Sequence, residues 1–381
     1  MARIVMGSYL VQFPMGGYLS WLLQWMVGIR DLGHEIYFVE RSIDANSCFD
    51  PIANVMTDDA TEGIRTISTA FERYGFKNHW SFVDFSGVYH GVAESTIMPI
   101  MQDADLFIDM GARGAWSEQI APRGVRVLVD GMPAFNQIRM QRAIDAGDTL
   151  PPYDHYYTVG ANIAAGTAAV PNAGKTWRHV FYPIAASLFT TQPPPSGAPF
   201  TTIMSWQTHE RLEYDGHVYG GKDVEFPKFM DLPRRVSCAM EIAVSGRKAP
   251  LDQLRAASWR VCDSHAMTLS FESFVAYIHR SRGEFTVCKN VFVDTNSGWF
   301  GDRAAAYLGC GRPVVMQDTG FSRHLPCGRG LFAVKTADDA AAAIDEIERD
   351  YEGHSRAARE IAMEHLEAEA VFTRFLDEVG V

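Results

Sequence analysis

The chain has 381 residues, more than one hydrophobic core usually holds, and this length predicts two domains. With 47% hydrophobic and 21% charged residues, the composition excludes a disordered or collagen-like chain. The net charge of -12 argues against a broad surface for nucleic acid or anionic membrane, so local groups must meet any bound phosphate.

The first half alternates short apolar strands with helical patterns. The strand Arg3–Gly7 is followed by a loop, by a helical segment that ends at Gly33, and by the strand HEIYFVE. Further strands are expected at 105–111, 126–131 and 154–160, with helical patterns around 56–73, 93–103 and 136–146. This alternation is typical of a parallel, doubly wound sheet.

A proline-rich stretch at 191–200, TQPPPSGAPF, is the clearest linker in the chain. After it the strand patterns resume with FTTIMSW, CAMEIAV, WRVCD, GEFTVC, VFVDT and PVVMQD, and helical patterns lie between them. From about residue 337 to the end, the pattern is helical. The sequence therefore predicts two Rossmann-like halves and a helical tail.

The cysteines and the hydropathy indicate location and metal content. The six cysteines form neither a C-x-x-C pair nor a zinc-ligand spacing, which predicts free thiols in a reducing compartment and no metal site. The apolar run at 18–29 is interrupted by Gln24 and is too short to span a bilayer. No signal peptide is visible, so the expected location is cytoplasmic.

Gly16 and Gly17 follow the first strand at the entrance to the first helix. Paired glycines there permit close approach of a ligand to the backbone, and a tight turn is the alternative. The G-x-G-x-x-G fingerprint is absent, which argues against a nicotinamide cofactor. Glu40, at the end of the second strand, could still take the place of the ribose-binding acid of that motif.

The stretch at 297–320, SGWFGDRAAAYLGCGRPVVMQDTG, is the most informative part of the chain. It predicts a loop of small residues, a short alanine-rich helix, a Gly-Arg-Pro turn and a buried strand. A loop that opens onto a helix presents free N–H groups and positive potential, which suit a diphosphate.

This stretch resembles the donor-binding block of the GT-B glycosyltransferases. Residues 311–315 match the family's Gly-x-Pro-Val-Val turn and strand, 297–301 match its phosphate loop, and LGHEIYFV at 32–39 is similar to its second strand. The resemblance implies an α/β fold of two Rossmann-like domains that face each other across a cleft. The expected boundaries are 1–185 for the acceptor domain, 186–200 for the linker, 201–355 for the nucleotide-sugar domain and 356–381 for a helix that crosses back.

The candidate donor-binding residues are Gly16, Gly17, Lys222, Ser297, Gly298, Trp299, Asp302 and Arg303. Lys222 is included because it follows paired glycines and is expected to begin a helix. Asp302 would hold ribose or sugar hydroxyls, and Arg303 would neutralise phosphate. Trp299 would stack on a base or a sugar. The alternatives are a helix cap for Asp302, core packing for Trp299 and a solvent-exposed lysine for Lys222.

Two aspartates are candidates for the general base that accepts the proton of the acceptor hydroxyl. Asp109 and Asp130 lie at the ends of N-terminal strands, where ligands of doubly wound sheets bind. A Gly-Met-Pro turn follows Asp130, which makes it the preferred candidate. A turn-forming or helix-capping role is the alternative for both.

Neither standard catalytic signature of the family is present. Many retaining members carry two glutamates eight residues apart, where this chain has Gly298 and Ala306. Many inverting members carry a histidine at the position of Tyr18. The stereochemistry of transfer therefore stays open.

The expected function is transfer of a sugar from a nucleotide diphosphate donor, such as a UDP-sugar, to a small-molecule, glycan or nucleobase acceptor. The donor is a co-substrate, and neither a metal nor another cofactor is expected. Nucleic acid is disfavoured as a partner but not excluded, and the oligomeric state stays open. A nucleotide-sugar epimerase and a non-catalytic nucleotide- or sugar-binding protein are the alternatives.

Overall fold

The computed structural model describes residues 1–207, 210–246 and 248–381. Its N-terminal part forms an eight-stranded sheet in the order β10-β9-β8-β7-β1-β2-β5-β6, in which only β6 is antiparallel, and a separate hairpin, β3–β4. The strands are β1 (Arg3–Gly7), β2 (Glu35–Arg41), β3 (Cys48–Asp50), β4 (Val55–Thr57), β5 (Trp80–Val83), β6 (Tyr89–Gly91), β7 (Leu106–Asp109), β8 (Val125–Asp130), β9 (His155–Thr158) and β10 (Trp177–His179).

The C-terminal part forms a six-stranded parallel sheet in the order β15-β14-β11-β16-β17-β18. Along the chain this is the order 3-2-1-4-5-6 of a Rossmann domain. A short hairpin, β12–β13, lies apart from it. The strands are β11 (Phe200–Ser205), β12 (Leu212–Tyr214), β13 (His217–Tyr219), β14 (Met240–Ser245), β15 (Arg260–Asp263), β16 (Gly283–Thr286), β17 (Val314–Gln317) and β18 (Leu331–Val334).

Helices connect the parallel strands, so the central strands are covered on both sides and read as apolar runs. Ile4, Val5 and Met6 of β1 are fully buried. The helices are α1 (Gly16–Asp31), α2 (Thr61–Arg73), α3 (Glu94–Gln102), α4 (Phe135–Asp145), α5 (Ala161–Ala164), α6 (Lys222–Glu225), α7 (Leu251–Ala256), α8 (Ser264–Met267), α9 (Phe271–His279), α10 (Asn290–Asp294), α11 (Asp302–Gly309), α12 (Ala337–Arg349), α13 (Tyr351–His365) and α14 (Ala368–Val379).

One predicted strand is wrong. VFVDT lies mostly in α10, although valine and phenylalanine favour strands. Asn290 begins this helix, and its side-chain oxygen accepts a hydrogen bond from Gly220 N at 2.9 Å. This long-range contact anchors the segment to the loop after β13, and the segment forms a helical turn instead of a further strand.

The chain passes between the two sheets twice, and the two passages lie side by side. Ile184 N donates to Leu366 O at 2.6 Å, and Ala368 N donates to Ile184 O at 3.0 Å. Beyond the second passage, α14 packs on α1, where the absence of a side chain at Gly28 leaves room for Phe372. The final helix thus returns to the N-terminal sheet, as predicted. None of the helices in the described ranges is long and apolar enough to cross a bilayer.

Candidate functional site

A cleft lies between the carboxyl ends of the two parallel sheets. The strand order reverses between β1 and β7 in one sheet and between β11 and β16 in the other, and such points form crevices that bind ligands. The loop after β1 faces the start of α11, because the charge of Asp302 acts on both Tyr9 and Tyr18. Side chains from both halves therefore line one space.

Two lysines place positive charge on the C-terminal side of this cleft. Lys222 is the first residue of α6, Lys289 follows β16, and both are half-buried. Burial, together with the charge of Arg303, lowers the pKa of Lys222 to about 7. Burial lowers the pKa of Lys289 to about 8, although the charge of Asp302 opposes the shift.

Neither ammonium group forms an ion pair, within 4 Å, with a carboxylate of the described residues. Lys289 Nζ has a sulfur neighbour, Met132 Sδ, at 3.0 Å, and lies 5.6 Å from the ring centre of Phe292. Lys222 forms no hydrogen bond or ion pair within those residues. A half-buried cation without a counter-ion is costly, and an anionic ligand would remove that cost. Lys222 is thus not the exposed lysine of the alternative interpretation.

Asp302 begins α11 and faces the opposite wall of the cleft. Burial raises the pKa of its carboxyl group, and the charge of Arg303 opposes this increase. The N-cap of α11 is Gly301 and no side chain among the described residues caps the helix, so Asp302 is an acidic residue of the first turn and does not have the helix-capping role of the alternative interpretation. Its charge acts on Tyr9, Tyr18 and Lys289 as well, so the same group faces the cleft.

Aromatic rings form the N-terminal side of the cleft, which we call the aromatic wall. The ring centres of Tyr9, Phe13 and Tyr18 lie 5.5 to 6.1 Å apart. Tyr182 lies 6.2 Å from Trp21, and burial together with the charge of Asp302 raises its pKa. This wall can contact a ring or an apolar body, and its hydroxyl groups can bind polar atoms.

We compared the chain with known proteins. No family model matches the sequence, and no curated protein matches it significantly. An alpha-glucosyltransferase in complex with UDP and a 13-mer DNA is similar in structure, with a TM-score of 0.63, 10% identity, and 100% and 99% of the two chains covered. HepE of Anabaena in complex with UDP and glucose follows, with a TM-score of 0.60, 11% identity and 100% of both chains covered. AviGT4, a glycosyltransferase involved in avilamycin A biosynthesis, has a TM-score of 0.56, 10% identity, and 100% and 97% of the two chains covered.

The chain has the GT-B fold. At these identities the likeness concerns the fold, and the roles of single residues must come from this chain. The GT-B fold joins two Rossmann-like domains across a cleft. This explains why the two lysines on the C-terminal side face the aromatic wall.

Arg303, predicted to neutralise phosphate, forms its hydrogen bonds within the protein. Its guanidinium group donates to Glu284, to Ile203 O and, at 2.8 Å, to Thr286 Oγ1. Glu284 is fully buried and needs this ion pair. Arg303 therefore holds the sheet of the C-terminal half together and contributes positive potential behind Lys222.

The predicted phosphate loop also has a different role. Ser297 O accepts from Asn162 N at 3.1 Å, Gly298 O accepts from Ala161 N at 3.3 Å, and Gly298 N donates to Thr319 O at 2.7 Å. Trp299 packs against a neighbouring ring, Phe292, at 4.8 Å between ring centres. Ser297, Gly298 and Trp299 thus join the two halves, and core packing, the alternative for Trp299, describes its ring.

The two glycines at the start of α1 have different environments. Gly16 N donates to Thr268 O at 2.6 Å, and a Cβ atom at Gly16 would overlap the carbonyl group of Ser270. Gly16 thus permits close contact between the two halves and is not a ligand-binding residue. Gly17 has no atom within 4 Å of its Cβ position and stays a candidate for donor binding.

Asp109 is an unsuitable general base because its carboxylate orders the loop after β7. One oxygen accepts from Gly111 N at 3.0 Å and Ala112 N at 2.7 Å, and the other from Gly114 N at 2.7 Å and Tyr153 Oη at 2.6 Å. Four donors saturate the group, so the turn-forming alternative describes it.

Asp130, the preferred candidate, is equally saturated. Its carboxylate is 2% exposed and accepts four hydrogen bonds of 2.6 to 2.9 Å, from Met132 N, Asn136 Nδ2, Gln137 Nε2 and Thr158 Oγ1. Burial raises its pKa, and these bonds oppose the increase. Asp130 orders the turn between β8 and α4, and no face of the carboxylate is left for an acceptor.

The carboxyl group of Glu40 also accepts its hydrogen bonds from within the protein. It accepts from Val11 N at 2.6 Å and Gln12 N at 2.7 Å, and burial raises its pKa to about 8. Glu40 is fully buried and holds the loop after β1, so its carboxyl group is not exposed to a ribose.

Sequence reasoning missed Lys289 and the aromatic wall. The available signal was position: Lys289 directly follows the strand GEFTVC, and Tyr9 and Phe13 lie in the loop after β1. Both positions are at carboxyl ends of parallel strands. A metal centre gains no support, since no cluster of three or more His, Cys, Asp or Glu residues in the described part could hold an ion.

Proposed function

We propose that this protein is a glycosyltransferase that moves a sugar from a nucleoside diphosphate donor, a UDP-sugar by analogy with its structural neighbours, to an acceptor hydroxyl. The observation that supports this best is the pair Lys222 and Lys289, two half-buried cations beside one cleft that form no ion pair with the described residues. A diphosphate supplies the charge that this pair lacks.

The chemistry breaks the bond between the sugar C1 and the diphosphate oxygen and forms a bond from C1 to the acceptor oxygen, whose proton is released. Negative charge grows on the diphosphate as it leaves. We assign its stabilisation to Lys222, Lys289 and the first N–H groups of α11, without a metal ion. Asp302 would bind sugar hydroxyls, and closure of the cleft around both substrates would limit hydrolysis by water.

We place the protein in the cytoplasm. All six cysteines are free, as expected in a reducing compartment. The domain boundaries proposed from the sequence, 1–185, 186–200, 201–355 and 356–381, are consistent with the residue ranges of the two sheets and with the return of α14.

Calorimetric titration with UDP tests the donor site. Lys222→Ala and Lys289→Ala should each weaken UDP binding by about tenfold or more, because each removes a charge-assisted contact to phosphate. Lys335→Ala is the matched control, because Lys335 is an exposed lysine of the same half. Equal affinity in all four proteins would remove the basis of the proposal.

Turnover separates the three functions that bind the same nucleotide. Incubation with UDP-sugars should release UDP and, with a suitable acceptor, form a glycoside. A change of configuration within the donor without UDP release would identify an epimerase. Tight UDP binding with no reaction of any donor across an acceptor panel would identify a non-catalytic binding protein.

A further inference from the structure

Apolar side chains are exposed at the carboxyl edge of the N-terminal sheet. We call them the apolar rim: Ile43, Ile52, Val55, Met56, Phe85 and Val88, which are 43% to 67% exposed. They lie in two segments outside the parallel strands, one after β2 and one between β5 and β6. Such grouping of exposed apolar side chains is typical of a binding surface.

The two segments begin side by side. Ser42 N donates to Val83 O at 2.9 Å, and Ile43 and Phe85 lie one and two residues beyond this bonded pair. The rim therefore starts from a single point at the end of β2 and β5.

The rim also borders the cleft. Phe49, in the segment after β2, donates its N–H group to Gln12 O at 2.8 Å. Gln12 belongs to the loop that carries Tyr9 and Phe13. On its other side, the ring of Phe49 lies 6.4 Å from that of His265, in the C-terminal half. A molecule that contacts the aromatic wall can thus extend onto the rim.

Negative charges predominate around the rim, although Arg41 precedes its first segment and lies 4.2 Å from the centre of the Trp116 ring. Residues 42–60 contain four aspartates, Asp44, Asp50, Asp58 and Asp59, and no lysine or arginine. Asp50, Asp58 and Asp59 accept hydrogen bonds from backbone N–H groups. Among the four, Asp44 alone forms an ion pair within the described residues, with Arg113 at 2.8 Å, and both side chains are exposed. An exposed pair of this kind leaves the local field negative and repels phosphate-bearing molecules such as nucleic acid or anionic lipid.

We propose that the apolar rim and the aromatic wall bind an acceptor that is hydrophobic, carries a hydroxyl group and bears a positive charge, such as an amine. This inference rests on the proposed function and names its acceptor class. The apolar body covers the rim, Tyr18, which is 37% exposed, contacts the ring nearest the donor, and the amine faces the aspartates. The acceptor hydroxyl then lies towards Asp302 and the donor.

A matched series of fluorescent naphthols tests this inference, with saturating UDP present. The probes are 6-aminomethyl-2-naphthol, 2-naphthol and 6-hydroxynaphthalene-2-sulfonate, which share a ring and a hydroxyl and differ in charge. The cation should bind roughly fivefold or more tightly than the neutral probe, and the anion should bind most weakly. Higher salt should reduce these differences.

Two variants separate the apolar and the charge contributions. Ile43→Ser should weaken all three probes several-fold, whereas Ile144→Ser should leave them unchanged. Ile144 is 38% exposed, close to the 43% of Ile43, but lies near the end of α4, which runs back from the cleft. Asp44→Asn combined with Asp58→Asn should reduce the preference for the cation.

The possible outcomes are distinguishable. Normal UDP binding with equal or tighter binding of the sulfonate overturns the acceptor class and leaves the proposed function standing. Absence of UDP binding removes the proposed function itself. A dimer in solution that Ile43→Ser dissociates would show that a second copy covers the rim, and this too overturns the inference.

Discussion

Lys222, Lys289 and Arg303 lie close enough for their charges to interact, but they differ in their partners. Arg303 donates to a buried glutamate and to two oxygens of neighbouring strands. The two lysines have no such partners among the described residues and have pKa values lowered towards neutrality. Perturbed lysines in a cleft are typical of sites that bind or transform anions.

These pKa values predict that donor affinity depends on pH. Below about pH 7 both lysines are charged in the free protein, and between pH 7 and 9 they lose their protons. Binding of UDP-glucose, whose diphosphate does not titrate in this range, must then restore the protons, so affinity should fall with rising pH, by up to about tenfold per unit for each lysine. Titration calorimetry in buffers of different ionisation enthalpy measures this proton uptake.

Lys222→Arg is the control for this prediction. Arginine stays protonated throughout the range, so the variant should show a weaker pH dependence. A wild-type affinity that is constant or rises between pH 7 and 9 would contradict the assignment of both lysines.

At the scale of secondary structure, the start of α1 determines how closely the two halves meet. The first helix after β1 places Gly16 against the segment that leads into α9, and leaves the neighbouring Gly17 beside open space. Two glycines that look equivalent in sequence thus have different functions.

Alanine substitutions distinguish these two positions. Gly16→Ala should lower the free energy of unfolding by about 1–3 kcal/mol, because the new methyl group overlaps the Ser270 carbonyl. Gly17→Ala should raise it by about 0.4–1 kcal/mol, since the methyl group meets no atom and the unfolded chain loses freedom. Urea unfolding of both variants measures the difference, and equal effects would contradict this view of the helix start.

At the scale of the whole molecule, hydrogen bonds between residues 161–162 and 296–298, which we call the seam, join the two halves. Asn162 is 1% exposed and bonds across the seam through its backbone and its side chain. Its Nδ2 donates to Asn296 O at 2.9 Å, and its Oδ1 lies 2.8 Å from His324 Nε2. This residue therefore contributes to the relative position of the donor and acceptor walls.

Asn162→Ala should loosen the arrangement of the two halves. Loss of the side-chain bonds should cost about 1–3 kcal/mol of stability, because buried partners lose their hydrogen bonds. Small-angle X-ray scattering should show a larger radius of gyration, and UDP affinity should fall. Asn172→Ala is the control, because Asn172 is exposed and, among the described residues, its side chain bonds to Gly174 N of its own loop. Identical scattering from both variants would show that the seam does not set the domain arrangement.

The sequence by itself determined the alternation of strands and helices, the two Rossmann-like halves, the returning helix and the resemblance of 297–320 to GT-B proteins. These features follow from periodicity, glycine and proline positions and composition, which are local properties of a chain. Lys222 was also found in this way, because it follows paired glycines at the start of a helix.

Only the tertiary structure shows which polar groups already form hydrogen bonds within the protein. Asp109 is bound by Tyr153, Arg303 by Ile203 O, and Gly16 by Thr268 O, partners that lie 44 to 252 residues away along the chain. A local pattern shows that a residue is at the end of a strand, but not which distant donor or acceptor meets it there. For that reason the predicted catalytic aspartates became turn-forming residues, and Lys289 and the aromatic wall appeared only when the two sheets were placed face to face.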